Sequence, residues 1–180
     1  MDDWLRATSP FFRKMAEQVD SHGGYSIRVT HETLPSMTLW ENGQRAIALV
    51  DTLKGPVRAS CLIMELTNFF QEEKHQQLED NLSNGTIKES SEYAILRSLI
   101  ELDGLRFHRT VLEELDKKID GGIPKEMLSW IEPSLQSLAE YTVPAAYDYV
   151  NIQRGSAYRK RFEDWFAKRK QELESAPKGP

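Results

Sequence analysis

The segment CLIMELTNFFQ, Cys61 to Gln71, is apolar apart from one full charge, Glu65. A carboxylate inside an apolar run is costly unless a partner offsets its desolvation, so Glu65 is either paired or placed for chemistry. A second acidic group stands downstream in SLIELDGLRFH, where Glu101 is followed by Asp103 and His108. Two carboxylates brought together serve as a general acid–base pair or as metal ligands. His108 lies on the same helix face as Glu101 but about 10.5 Å along it, too far for both to bind one ion. Pairing with a neighbouring acid is therefore expected of His108. His75 falls in a charged stretch and reads as solvated, as do His22 and His31 near turn and strand ends. Cys61 stands one turn before Glu65 with no histidine at local spacing, so it reads as a buried thiol rather than a nucleophile. A purely structural Glu65 is expected to meet an arginine such as Arg58, Arg97 or Arg106.

Other catalytic signatures are missing. The chain has no G-x-S-x-G, no phosphate-binding G-x-x-x-x-G-K-[ST], no G-x-G-x-x-G and no cysteine/histidine spacing for zinc.

MELTNFFQ resembles the HELxHxxQ helix motif of the zincin metallopeptidases. There, two histidines at i and i+4, about 6 Å apart up one face, hold Zn²⁺, and the glutamate after the first deprotonates the bound water. In this chain Met64 and Asn68 stand at the histidine positions and Glu65 at the general-base position. SLIELDGLRFH resembles the ExDA segment that supplies the third ligand of gluzincins, with Glu101 at the ligand and Asp103–Gly104 at the small pair. The resemblance runs from about Tyr25 to Leu115. It implies a zincin-like fold in which Met64, Asn68 and Glu101 are only equivalents of the metal ligands, because a thioether and a neutral amide are poor donors to zinc. No cofactor is then expected, and Glu65 is a vestigial general base. Across the old metal cleft Glu65 and Glu101 would repel, so one is expected to be protonated or to have a basic neighbour.

The same resemblance implies a catalytically inactive, metallopeptidase-like protein that works by binding a protein partner. The old cleft and the adjacent sheet edge would be the contact surface, since zincins seat substrates as an added β-strand. Degenerate peptidase domains of this kind occur in bacteria among secreted effectors and toxin-associated proteins. Two other readings compete. One is a hydrolase using Glu65 and Glu101 as a carboxylate pair, or an atypical metal site completed by Asp103 or His108. The other is a helical adaptor unrelated to zincins.

These residues need a scaffold, and the pattern of apolar residues supplies one. Asp3 to Val19 has helical spacing and is closed by SHGG, giving an N-terminal helix within 1–24. YSIRVTH alternates, with Tyr25, Ile27 and Val29 on one face, and MTLW and RAIALVD flank Asn42–Gly43, a tight-turn dipeptide. An antiparallel meander over 25–52 is expected. Pro56 suits a first helical position, and Val57 to about Glu79 reads as one helix. A second spans Ser90 to Ile119 and is stopped by Gly121–Gly122, so 56–120 holds two central helices. Pro124, Pro133 and Pro144 break the stretch 123–174 into short helices, the last from about Ser156 to Leu173. Its stripe of Tyr158, Phe162, Trp165 and Arg169 is expected to pack on the body of a single domain spanning 1–174. The end, 175–180, reads as disordered. The fold class is α+β, mostly helical.

Composition bounds the setting. The 180 residues carry a net charge of −5 and a single cysteine. An acidic balance argues against a nucleic-acid surface over the whole domain. Arg154, Arg159, Lys160, Arg161, Lys168, Arg169 and Lys170 nonetheless gather near the C-terminus, which leaves phosphate, an acidic partner or nucleic acid open, with a solvated helix face preferred. One cysteine excludes an internal disulfide and points to a reducing compartment. With no secretory signal pattern at the N-terminus, the expected location is the cytoplasm, or another cell reached by a specialised secretion system. No apolar run approaches the roughly 20 residues of a membrane span, so no membrane partner is expected.

Overall fold

A computed structural model describes residues 1–31, 36–41, 44–53, 55–129, 131–154 and 156–175, with the backbone alone for residues 40 and 41. The expected turn at Asn42–Gly43 and the tail 176–180 lie outside the described residues. Helices dominate around one three-stranded sheet, so the α+β class holds.

The expected N-terminal helix is two helices, α1 (Asp2–Thr8) and α2 (Pro10–Ser21). Pro10 explains the break: the residue before a proline is pushed out of helical conformation, and Ser9 is extended at φ −109° and ψ 111°. Ser9 then caps α2, its Oγ accepting from the Phe12 N–H at 3.0 Å, and donates to Glu114 Oε2 at 2.5 Å.

The strands are β1 (Ser26–Thr30), β2 (Ser36–Glu41) and β3 (Gln44–Val50), in the order β1-β3-β2. β2 and β3 form the expected antiparallel pair, but β1 joins β3 in parallel, so the meander is corrected to a mixed sheet. The reason lies in composition. β3 is the most apolar strand, buried from Ala46 to Val50, and a central position covers such a strand on both sides. β1 is left at an edge, where Ile27 and Val29 share the face of Ile47 and Leu49 yet remain exposed.

The single helix expected from Val57 to Glu79 is also two: α3 (Gly55–Phe70) and α4 (Glu72–Ser83). Gln71 interrupts it at φ −101° and ψ 13°, where the composition changes from apolar to charged. α5 (Ser90–Asp116) ends before Gly121 and Gly122, both left-handed at φ 83° and 80°. Asp116 Oδ1 accepts from the Ile123 N–H there at 2.9 Å. Short α6 (Glu126–Ser129) and α7 (Ala146–Gln153) precede α8 (Ala157–Ser175).

The elements gather into two compact units. The first comprises residues 1–70 and 104–143, the second 71–103 and 144–180. In the first, α3 lies over β2 and β3 and packs on α2 and α6. Its core includes Phe12, Met15, Ile47, Leu49, Leu62 and Leu66. In the second, Leu78, Leu82, Ile87, Tyr93, Ile100 and Phe166 form a smaller core. Tyr93 and Phe166 meet at 5.8 Å, and the Tyr93 hydroxyl donates to Glu79 at 2.6 Å. The expected α8 stripe is corrected here. Phe162 and Phe166 form the buried face, whereas Tyr158 and Trp165 are exposed.

Candidate functional site

α3 is apolar nearly all round because it is covered on several sides, by the sheet, α2 and α6. Glu65 sits in its middle and is buried, 8% exposed. Its two oxygens are engaged separately. Ser36 Oγ on β2 donates to Oε1 at 2.7 Å, and Asn68 Nδ2, three residues further along α3, donates to Oε2 at 3.2 Å. Ser36 reaches the helix because its register partner is Leu49, which faces the core. Met64 is half-buried, and its carbonyl accepts from Thr67 Oγ1 at 2.7 Å. Asn68 thus binds the Glu65 side chain from within the same helix.

Cys61 is fully buried one turn before Glu65. Burial pushes its thiol up to about 12, with a hydrogen bond to Ser36 opposing and the Glu65 charge reinforcing the rise. A thiol so placed is inert toward solvent reagents.

Glu101 belongs to the second unit. Burial raises its carboxyl pKa, while the charges of Arg97 and Arg161 oppose the shift. Arg97 Nε stands 3.8 Å from Oε1 on the same helix. Tyr149 on α7 shares this surrounding: burial, then the Glu101 charge, push its phenol up to about 12, against a hydrogen bond with Gln153. A basic neighbour for Glu101 therefore exists in its own unit. Asp103 takes Lys74 at 2.6 Å.

The histidines divide. His108 is fully buried, and burial pushes its imidazole down to about 3. Where an acid was expected, its Nε2 meets Ser60 Oγ at 2.9 Å. That distance suits a nucleophile–base pair, but Ser60 and His108 are both fully buried, so neither atom faces solvent. Sequence reasoning missed this contact, since the partners lie far apart in sequence and carry no local signature. His75 is corrected from solvated to half-buried. Its Nδ1 is enclosed with no hydrogen-bond partner among the described residues, and burial plus the Arg97 and Lys74 charges push it down to about 3. His22 and His31 are exposed as expected, with His22 Nδ1 at 2.8 Å from the Gln18 carbonyl and His31 Nδ1 at 3.1 Å from Asp51.

Among the described residues, no three His, Cys, Asp or Glu side chains come together as a metal-binding group. A mostly apolar groove of about 640 Å³ lies between α1, the start of α3 and α6, with Trp4, Pro56, Ala59 and Met127 in its wall; Glu65 does not line it. The basic residues near the C-terminus are partly engaged. Arg159 holds Glu163 at 3.1 Å and the Ser91 carbonyl at 2.9 Å, and Arg169 holds Glu172 at 2.9 Å. No described helix is long and apolar enough to cross a membrane. Against protein-family models, curated proteins and solved structures alike, the chain finds no match.

Proposed function

We propose that this chain is a non-catalytic, zincin-like protein that acts by binding another protein. One observation carries the reading: Asn68, at a position where the motif places a zinc ligand, donates its amide to Glu65, at the position of the general base. The position that deprotonates zinc-bound water in a zincin is here a carboxylate held by hydrogen bonds from Asn68 and Ser36. An amide at 3.2 Å and a thioether at the neighbouring position give a zinc ion no imidazole.

The contact surface on this reading is the edge of the sheet. β2 lies at one edge of the order β1-β3-β2, and a strand in that position offers backbone groups to an added strand.

Metal analysis tests the reading. Protein purified without chelator is assayed for elements and titrated with zinc by calorimetry. The expected outcome is no stoichiometric metal and no binding near the micromolar range. One tightly held transition metal per chain would overturn the reading and make Glu65 and Glu101 the first residues to replace.

A further inference from the structure

The buried face of α4 changes character along its length. Gln71, His75, Leu78 and Leu82 fall at i, i+4, i+7 and i+11, one helical stripe. Leu78 and Leu82 belong to the core of the second unit, so the same face carries Gln71 and His75 inward. α5 runs antiparallel to α4, because Lys74 meets Asp103 at 2.6 Å and Glu79 meets the Tyr93 hydroxyl at 2.6 Å. Tyr93, Arg97 and Glu101 follow one another at i, i+4 and i+8, between those two contacts, and so face the stretch of α4 that holds His75. The Arg97 charge acts on His75, and the Arg97 and Arg161 charges act on Glu101. A polar layer thus adjoins the apolar core of the second unit, the arrangement by which helix bundles seat ligands between facing helices.

The layer is under-satisfied. Gln71 is 2% exposed, and among the described residues neither its Nε2 nor its Oε1 has a hydrogen-bond partner. The same holds for the enclosed His75 Nδ1 and Arg97 Nε, the latter 3.8 Å from Glu101 Oε1 and so beyond hydrogen-bond length. Interiors leave few such atoms, because each has given up its hydration without a replacement. Four of them on two facing helices mark a place that accepts a polar ligand.

Charge and donor chemistry select that ligand. Arg97 Nε only donates, Gln71 Nε2 donates, and His75 Nδ1 donates in one tautomer, so all three suit an oxyanion. Arg97 and Arg161 outnumber Glu101, while Lys74 and Asp103 cancel. The excess is positive, which disfavours a metal cation. Burial raises the Glu101 carboxyl pKa, the direction that favours a donating carboxylic acid beside an anion. Gln71 Oε1 adds a condition. It takes a donor, which an oxyanion supplies only if it also carries a hydroxyl. The Arg97 side chain is 28% exposed, so the layer reaches solvent.

We propose that Gln71, His75 and Arg97 form a binding site in the second unit for a small hydroxyl-bearing oxyanion, a hydrogen phosphate or an α-hydroxy carboxylate. Arg97, Gln71 Nε2 and His75 donate to its charged oxygens, and its hydroxyl donates to Gln71 Oε1. The inference rests on the second unit and does not depend on the reading of Glu65.

The test is differential scanning fluorimetry of the full chain near neutral pH, with inorganic phosphate, glycolate, acetate or chloride at matched ionic strength. Phosphate or glycolate is expected to raise the melting temperature saturably at millimolar concentration, by about 3–5 °C at about ten times the dissociation constant. The one with the lower half-saturation identifies the source of the oxyanion. Acetate carries the charge without the hydroxyl and is expected to bind at least about tenfold more weakly. Gln71→Met keeps the length of the side chain, removes both polar atoms and is expected to abolish the response. Arg161 lies in solvent, so Arg161→Gln decides the matter if Gln71→Met fails to fold; it is expected to weaken the preferred anion about threefold through the lost charge. No saturable shift, an equal shift from acetate or chloride, a full response in folded Gln71→Met, or unchanged affinity in Arg161→Gln would each overturn the proposal.

Discussion

Ser36 on β2 and Glu65 on α3 are joined by a 2.7 Å hydrogen bond that ties an edge strand to the middle of the most apolar helix. Glu65 is buried, so its oxygen has little water to turn to if the hydroxyl is removed. Ser36→Ala is expected to cost about 1–3 kcal/mol, the range for stranding a buried polar group. A thermal scan reads this as a fall of about 2–4 °C per kcal/mol. An unchanged melting temperature would mean that the contact does not hold strand to helix.

Histidines at positions 64 and 68 should create metal binding if the helix is zincin-like, as proposed. In the double variant Met64→His, Asn68→His, imidazoles at i and i+4 share a helix face, the spacing that seats zinc. Calorimetry is expected to record one zinc per chain at micromolar affinity or better, and no zinc for the parent chain. Failure of a folded variant to take zinc would count against the likeness of this helix to a zincin motif helix.

Stability should fall on mild acidification, and His108 is a stated cause. Its imidazole is pushed down to about 3 in the folded chain, from 6.5 when free of the fold. As pH drops below 6.5 the unfolded chain takes up the proton first, so the contribution of neutral His108 is complete above 6.5 and is lost progressively toward 3. Between pH 6.5 and 5 this amounts to about 2 kcal/mol. Urea unfolding at pH 7 and pH 5 isolates the effect: the parent should lose about 2 kcal/mol more than His108→Gln over that interval. Parallel losses would assign the acid sensitivity to other groups. His75 shifts in the same direction, also chiefly through burial.

Cys61 should resist labelling. It is fully buried and its thiol is pushed up to about 12 by burial, so little thiolate forms at neutral pH. Modification by a disulfide reagent at pH 8 is expected to be at least about a hundredfold slower in the native chain than in guanidinium. Comparable rates would show that α3 opens readily.

Much of the local structure was legible in the sequence. Helical periodicity located α2, α3, α5 and α8, alternation located β1, the Asn42–Gly43 dipeptide located β2 and β3, and Gly121–Gly122 marked where the chain leaves α5. The break at Ser9 was available too, since Ser-Pro is a cap followed by a first-turn proline, but the apolar spacing of Trp4, Met15 and Val19 masked it. The break at Gln71 has no such mark, and only the shift from apolar to charged residues hints at it. The Asn68–Glu65 contact, three residues apart on one helix, lay within reach of sequence reasoning; Ser36–Glu65 and Ser60–His108 did not.

What the sequence determined by itself is what neighbouring residues decide: where helices and strands form, and that Glu65 stands alone in an apolar helix. The tertiary structure decided the rest. It put β3 between β1 and β2, buried the Ser60–His108 pair away from solvent, and turned Tyr158 and Trp165 of α8 toward solvent. These outcomes depend on which distant segment covers a given side chain. Burial of that kind follows from competition among all apolar surfaces of the chain, and no local spacing encodes its result.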